Sequence, residues 1–198
     1  MNIVIETAGY CYDNGKPTQR AGCAAVLKAQ EGEQVKTRTI TMPLGSATGN
    51  QSEVHAALLG LLSVKPKFRN EQTKIVVASF ASRMLQRNDN GDWSNKAIKN
   101  ASQIEKLRET AKLFSNLIIE SEHNTVAHEL AKQVTESQVQ YDSGSQKDDR
   151  ETDQNINVVV HNGDIIADPV DDGQQENIGY INQELVELCG GPGQEGSD

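Results

Sequence analysis

The side chains that most often carry out chemistry are thinly spread in this sequence, and two short segments hold the main candidates. Residues 50–58 (NQSEVHAAL) contain Glu53, and residues 124–131 (NTVAHELA) contain His128. Carboxylate oxygens are the ligands that hard ions such as Mg²⁺ prefer, whereas an imidazole suits softer metals. Because such ions need several oxygen ligands, Glu53 alone predicts at most a weak metal site. We expect His128 to lie on a helix surface or in a hydrogen bond.

The other titratable side chains predict no second catalytic site. We expect His55 and His123 to be ordinary surface residues. The three cysteines are an odd number, and their spacing matches neither a disulfide framework nor a zinc site: Cys11, Cys23 and Cys189. Reduced thiols in a cytosolic compartment are therefore the expectation.

A basic set of side chains surrounds the single tryptophan. Around Trp93 the sequence places Arg83, Arg87, Lys96 and Lys99. Cationic side chains contact the phosphates of nucleic acids, so this set is a candidate binding face. A solvated surface with no ligand is the alternative.

The elements that must position these residues follow from hydrophobic periodicity. Alternation bounded by Gly and Pro predicts three strands, at residues 2–6, 21–29 and 35–42. The 3.6-residue period predicts helices, and short apolar runs predict two further strands. In order, these are a helix at 52–64, a strand at 73–79, helices at 81–88 and 98–114, a strand at 117–122 and a helix at 124–137. The order βββαβαβα predicts an α/β protein with a five-stranded mixed sheet flanked by helices.

Charge divides the chain at residue 138. The formal net charge is -9, but residues 1–138 hold 17 basic and 14 acidic side chains, giving +3. Residues 139–198, which we call the acidic tail, hold 2 basic and 14 acidic side chains, giving -12. An asymmetry of this kind predicts an interaction tail on a globular domain, and a basic protein is one partner that would fit it.

The acidic tail is expected to be largely disordered, because residues 139–155 are rich in Ser, Gln, Asp and Gly. A hairpin at 156–168, around Asn162-Gly163, and a short helix at 179–189 are its only predicted elements. No apolar run approaches the roughly 18 residues that span a bilayer, and no export signal is recognisable. We therefore expect no membrane contact and a cytoplasmic location.

The element order and several motifs together resemble the type-1 ribonuclease H family over about residues 1–135. Residues 5–11 (IETAGYC) are similar to the family's strand that ends in Thr-Asp-Gly-Ser. Residues 50–58 resemble its Asn-x-x-Glu-Leu-x-Ala helix start, and residues 124–131 resemble its Asn-x-x-Ala-Asp-x-Leu-Ala segment. Gly91-Asp92-Trp93 and Lys99-Asn100 resemble its Gly-Trp and Lys-Asn segments. The resemblance implies the ribonuclease H-like fold.

The resemblance also implies where a metal centre would lie. In the family, four carboxylates hold two divalent ions about 4 Å apart, and they correspond here to Ala8, Glu53, Ala81 and His128. Only Glu53 keeps the carboxylate. The implied cofactor is Mg²⁺ or Mn²⁺ if the protein is active and none otherwise, and the sequence as written implies an inactive centre. Glu6, one strand step of about 6.6 Å from Ala8, is interpreted as a rim carboxylate and not as a replacement ligand.

Nucleic-acid contacts are implied by the same resemblance. The family's Asn-x-x-Glu segment contacts the sugars of the RNA strand, which corresponds to Asn50 and Gln51. The segment around its Lys-Asn pair contacts the phosphates of the DNA strand. The corresponding residues here are Trp93, Lys96, Lys99 and Asn100.

Two explanations for the alanines remain open: natural loss, or deliberate Asp-to-Ala changes that trap substrate. Tyr10 and Phe80 favour natural loss, because both replace small polar residues usual beside the metals. Three functions follow as hypotheses. The chain is a catalytically inactive protein that binds RNA/DNA hybrid or another nucleic acid, a disabled Mg²⁺-dependent hybrid endonuclease, or a structural module that uses the fold as a protein-interaction scaffold.

Overall fold

The computed structural model describes residues 1–95, 100–144 and 159–162. The strands in these ranges are β1 (Asn2–Tyr12), β2 (Arg20–Glu31), β3 (Gln34–Gly45), β4 (Gln72–Val77), β5 (Asn116–Ser121) and β6 (Val159–Asn162). The helices are α1 (Gly49–Leu62), α2 (Ser79–Leu85), α3 (Ala101–Lys112) and α4 (Thr125–Gly144), with a 3₁₀ turn at Pro66–Phe68. All of these elements belong to one compact unit, Met1–Ile165.

The strands form one mixed sheet in the order β5-β4-β1-β2-β3-β6. β1, β2 and β3 are an antiparallel meander, and β4 lies parallel to both β1 and β5. The predicted α/β class and five-stranded mixed sheet are therefore confirmed. The structure adds β6, which pairs antiparallel with β3 outside the predicted five strands.

Helices cover both faces of the sheet. α1 packs on one face, where a Cβ at Gly60 would lie 2.6 Å from Cγ2 of Ile5, and α3 packs against α1. α4 packs on the other face, where a Cβ at Gly22 would lie 2.6 Å from Cγ1 of Val134. Both glycines allow helix and strand to approach closely, which a side chain would prevent. The core between them consists mainly of Val, Ile, Leu and Ala.

Several predicted limits differ from those observed. The meander strands are longer than predicted, because β2 and β3 are joined by the two residues Gly32 and Glu33. Helix α1 starts at Gly49, three residues before the predicted start at 52, and its N-cap is Thr48. α4 continues past the predicted end at 137 as far as Gly144, because no helix-breaking residue precedes that glycine.

The prediction that His55 lies on the surface is wrong. Its side chain is 6% exposed, and Nδ1 lies 2.8 Å from the carbonyl oxygen of Gln51. Beyond its first turn, helix α1 is buried almost all round, between the sheet and α3, so the side chain of His55 has no route to solvent.

The domain limits predicted for the acidic tail remain predictions. Strand β6 falls inside the predicted hairpin 156–168, but the rest of that hairpin lies outside the described residues, as does the helix predicted at 179–189. None of the described helices is long and apolar enough to cross a membrane.

Candidate functional site

Strand β1 and helix α1 touch at the point where the candidate centre lies. A Cβ at Gly9 would be 2.3 Å from the carbonyl carbon of Ser52 and 2.5 Å from the amide nitrogen of Glu53. Only glycine allows this backbone approach. Ala8 precedes Gly9 on the strand, so its side chain points to the opposite face of the sheet from this contact.

Glu53 uses its carboxylate to cap helix α2. Its Oε2 accepts hydrogen bonds from the backbone N–H groups of Phe80, at 2.9 Å, and Ala81, at 3.4 Å. These donors belong to the first turn of α2, where backbone N–H groups have no partner within the helix. The residue at the cap position, Ala78, makes no side-chain hydrogen bond. Glu53 therefore supplies from α1 the acceptor and the negative charge that α2 lacks locally.

Ala81 lies in the first turn of α2 and is fully buried. The hydrogen bond from its N–H to Glu53 places positions 53 and 81 together. A methyl group at position 81 offers no metal ligand.

Ala8 faces helix α4. Its side chain forms an apolar cluster with Val26 and Ala127, and Leu130 packs against this cluster. Position 8 is thus filled by hydrocarbon contacts, and His128 follows Ala127 directly. The structure thus joins positions 53 and 81 by a hydrogen bond and places position 8 against Ala127, the neighbour of His128.

His128 lies against two other rings. The Tyr10 ring meets it edge-on at a centroid distance of 5.5 Å, and the His123 ring is 4.8 Å away. Burial lowers the pKa of His128 from its usual value, and the nearby His123 lowers it further. Both effects favour the neutral form of the imidazole.

Asn124, the first residue of the 124–131 segment, caps helix α4. Its Oδ1 accepts a hydrogen bond of 2.8 Å from the N–H of Ala127, and the N–H of His128 donates to its carbonyl oxygen at 3.0 Å. The Asn-to-His spacing of residues 124–128 is thus the first turn of a capped helix.

These side chains do not fit a pair of Mg²⁺ ions. Across the described part of the chain, no group of three or more His, Cys, Asp or Glu side chains is placed to hold a metal ion. Glu53 is engaged with α2, and Ala8 and Ala81 carry no donor atom. Hard divalent ions need several oxygen ligands, and the weak metal site predicted at Glu53 would offer one.

Glu6 does not replace the missing ligand of Ala8. Its Oε2 lies 2.7 Å from Nζ of Lys28 on the neighbouring strand β2. The carboxylate is thus neutralised by a cross-strand ion pair, as expected for a rim residue.

The two residues predicted to contact RNA differ in whether their side chains are already used in hydrogen bonds within the chain. Gln51 is tied into a capping box, in which its Oε1 accepts from the N–H of Thr48 at 2.8 Å and its own N–H donates to Oγ1 of Thr48 at 3.3 Å. Asn50, one residue earlier in the first turn of α1, is exposed. Asn50 is therefore the better placed of the pair to meet a ligand.

Two guanidinium groups lie over the ring of Trp93. The Arg87 guanidinium carbon is 4.2 Å from its ring centroid, and that of Arg108 is 5.2 Å away. Arg108 is held by the carbonyl oxygens of Met84, at 2.9 Å from Nε, and Asn95, at 2.6 Å. Burial lowers the pKa of Arg108 from its usual value. Sequence reasoning missed Arg108, because helical periodicity does not show that a helix residue reaches a tryptophan on another segment.

The structure describes only some of the remaining residues that were predicted to contact nucleic acid. Lys96 and Lys99 lie outside the described residues. Asn100 precedes α3 in the left-handed conformation, with φ of 59°, and its side chain makes no capping hydrogen bond to the helix. Asn100 and Trp93 are half-buried and Arg87 is exposed, and the nucleic-acid face at these residues stays a prediction.

Comparisons with known proteins show the fold of this chain and nothing beyond the fold. No family model and no curated protein matches the sequence. Among solved structures, the N-terminal ribonuclease H domain of rv2228c from Mycobacterium tuberculosis matches with a TM-score of 0.56 at 21% identity, covering 71% of this chain and 98% of that one. Ribonuclease H1 from Halobacterium salinarum matches with a TM-score of 0.51 at 17% identity, covering 71% and 99%.

A third solved structure is LC11 ribonuclease H1 in complex with an RNA/DNA hybrid. It matches with a TM-score of 0.52 at 19% identity, covering 69% of this chain and 99% of that one. The matches span whole ribonuclease H domains and follow the strand and helix order described above. The chain therefore has a ribonuclease H-like fold.

Proposed function

We propose that this chain binds nucleic acid, with an RNA/DNA hybrid as the preferred ligand, and does not cleave it. The fold supports the ligand class, because LC11 ribonuclease H1, a protein of the same fold, was solved in complex with an RNA/DNA hybrid. Hybrids are recognised through groove shape, 2′-hydroxyls and phosphates, none of which requires a metal.

The capping hydrogen bonds of Glu53 are the main observation that supports the absence of cleavage. The one remaining carboxylate is used to hold α2 in place, through N–H groups at 2.9 and 3.4 Å. Phosphodiester cleavage by two metals needs ligands on several elements, and two of those elements present methyl groups at Ala8 and Ala81. Positions 8 and 81 thus lack the groups that would hold the ions.

The surface around Trp93 supports binding. Arg87 is exposed and lies over the indole ring, so its charge is fixed in direction beside an aromatic face. The Arg108 guanidinium also lies over the indole ring. Asn50 and Asn100 add exposed or half-exposed amide groups that can donate to phosphate or sugar oxygens.

A hybrid-binding titration tests the proposal. Labelled RNA/DNA hybrid, double-stranded RNA and double-stranded DNA of one sequence are titrated with the full chain at several salt concentrations. We expect the hybrid to bind most tightly and to weaken by about a hundredfold between roughly 50 and 200 mM salt, as four phosphate contacts would give. Absence of hybrid binding at the lowest salt would refute the proposal.

The contacts of Ala8 make the disabled endonuclease the less favoured hypothesis. Its side chain is 5% exposed and packs with Val26 and Ala127, so an aspartate at this position would enter a hydrocarbon cluster. A triple variant, Ala8→Asp, Ala81→Asp and His128→Asp, tests this alternative. Mg²⁺-dependent cleavage of the RNA strand by the variant would favour the endonuclease, and its absence would favour long-standing natural loss.

A further inference from the structure

A short segment that follows helix α1 carries three cations in five residues. The segment 65–69 (KPKFR) contains Lys65, Lys67 and Arg69, and both lysines are exposed. A 3₁₀ turn at Pro66–Phe68 fixes the backbone between them, closed by two backbone hydrogen bonds of 2.9 and 3.2 Å. The three cations therefore lie on one hydrogen-bonded turn.

The end of helix α3 packs against this turn. The guanidinium carbon of Arg69 lies 5.9 Å from the ring centroid of Phe114, and the N–H of Ser115 donates to the carbonyl oxygen of Arg69 at 3.2 Å. Lys112, the last residue of α3, is exposed and lies two positions before Phe114. It adds a fourth cation at this end of the helix. We call these four side chains the basic turn patch: Lys65, Lys67, Arg69 and Lys112.

No carboxylate of the described residues neutralises the basic turn patch. None of its four cations forms an ion pair within that part of the chain. Glu109, one turn before Lys112, forms none with it, and the carboxylate of Glu71 lies 3.0 Å from the amino group of Met1 instead. A helix C-terminus attracts nearby cations, which accounts for Lys112 but not for three cations in five residues. The patch therefore presents positive charge to an anionic ligand.

Helix α3 joins the basic turn patch to the surface around Trp93. The guanidinium of Arg108 lies over the indole ring of Trp93. Arg108 and Lys112 are four positions apart, so they lie on the same side of α3. One helical turn separates their backbones by about 6 Å along the axis. The two cationic surfaces therefore follow one side of one helix, and one extended ligand can reach both.

An extended polyanion fits this arrangement better than a small anion. Exposed lysines on a turn and at a helix end do not enclose a small ion, whereas a duplex carries one charge per about 1.7 Å of its axis and can contact several lysines at once. An anionic bilayer is the other extended polyanion. Phe68 is half-buried and Phe114 is buried, so neither ring is free to enter a bilayer, and Leu113 alone is an exposed large apolar side chain among the described residues here. The side chains therefore favour a nucleic acid.

We propose that the basic turn patch contacts the phosphate backbone of the bound nucleic acid and extends the binding surface beyond Trp93. The inference rests on the proposed function and adds a second place on the chain where the same ligand is held. Contacts of lysine with phosphates carry no sequence information, so the patch raises affinity without selecting a base sequence. It also makes binding more sensitive to salt, because each phosphate contact releases counterions.

Equilibrium titrations of the full chain test this contact. Lys65→Gln with Lys67→Gln removes two exposed cations of the patch, and Lys16→Gln with Lys36→Gln removes two exposed cations elsewhere, so both variants change the net charge equally. A labelled RNA/DNA hybrid of about 20 base pairs, roughly 70 Å long, is titrated at several salt concentrations. Quenching of the fluorescence of Trp93, the single tryptophan, reports on the surface around Trp93 separately.

We expect the patch variant to bind the hybrid at least about tenfold more weakly at roughly 50 mM salt and its salt slope to fall by about 1.8, because two phosphate contacts are lost. The control variant should bind within about twofold of the unaltered chain, and the quenching of Trp93 at saturation should be the same in all three. Equal affinity and slope in the patch and control variants would refute the contact. Absence of hybrid binding by the unaltered chain would instead refute the proposed function.

A variant of the opposite sign separates the effect of charge from damage to the fold. Glu109→Gln removes the exposed acid one turn before Lys112, so it should tighten hybrid binding about twofold to fivefold. Unchanged or weaker binding would contradict the contact at the end of α3. Vesicles that contain phosphatidylserine are the remaining arm. Vesicle binding that depends on Lys65 and Lys67, together with an unchanged affinity for the hybrid, would assign the patch to a lipid surface and overturn the proposal.

Discussion

The hydrogen bonds of Glu53 predict a specific stability cost when its carboxylate is removed. Glu53→Ala leaves the N–H groups of Phe80 and Ala81 without an acceptor at the start of α2. Loss of a cap costs about 1 kcal/mol, and loss of a partly buried negative charge at a helix N-terminus adds about 0.3–2 kcal/mol. We therefore expect the free energy of unfolding to fall by about 1–3 kcal/mol. Glu53→Gln keeps an acceptor oxygen and loses only the charge, so it should lose about half as much.

Urea unfolding measures this cost, with Glu109→Ala as the matched control. Glu109 is an exposed glutamate on α3, so its removal should change stability by less than about 0.5 kcal/mol. With a slope of about 2 kcal/mol/M, the midpoint for Glu53→Ala should drop by about 0.5–1.5 M. Two results would refute the capping role: a midpoint equal to that of Glu109→Ala, or stabilisation of the unaltered chain by Mg²⁺ that disappears with Glu53. The second result would mean that the carboxylate binds metal.

Three further predictions test the apolar, histidine and cationic parts of the site. Ala8→Asp should destabilise the fold by about 2–3 kcal/mol in urea unfolding, because it buries a carboxylate beside Val26; a midpoint that stays the same or rises in Mg²⁺ would contradict this. The pKa of His128 is lowered in the folded state, so the unfolded chain takes up a proton first and stability should fall as pH drops through about 6.5. His128→Gln should flatten that fall between about pH 7 and 5, and an unchanged pH profile would show that His128 does not cause it. Arg87→Gln should weaken hybrid binding and reduce the salt slope by about one in fluorescence anisotropy, whereas an unchanged slope would place Arg87 outside the interface.

The element order could be predicted from the sequence, because it follows from local patterns. Strand and helix periods predicted the five-stranded sheet, whereas Ala8, Glu53, Ala81 and His128 were named by the family resemblance and stay a prediction as a site. The capping role of Glu53 could not be predicted, since it depends on a contact between residues 27 positions apart in the chain.

Other features depend on tertiary packing in the same way. His55 has the sequence of a helix-surface residue, but α1 is enclosed on all sides and His55 is buried. Arg108 reaches Trp93 from another element, and β6 pairs with a strand about 120 positions earlier in the sequence. Local periodicity records which face of an element is apolar, and it carries no information about which distant segment covers that face.

We propose that the chain binds an RNA/DNA hybrid and has lost the carboxylates that would hold the metal ions for cleavage. The most direct test is a single titration of the unaltered full chain with end-labelled hybrid in Mg²⁺, in which binding and strand length are read from the same samples. We expect saturable, salt-sensitive binding of the hybrid, with the RNA strand intact throughout. Mg²⁺-dependent shortening of the RNA strand, or no binding at low salt, would contradict it.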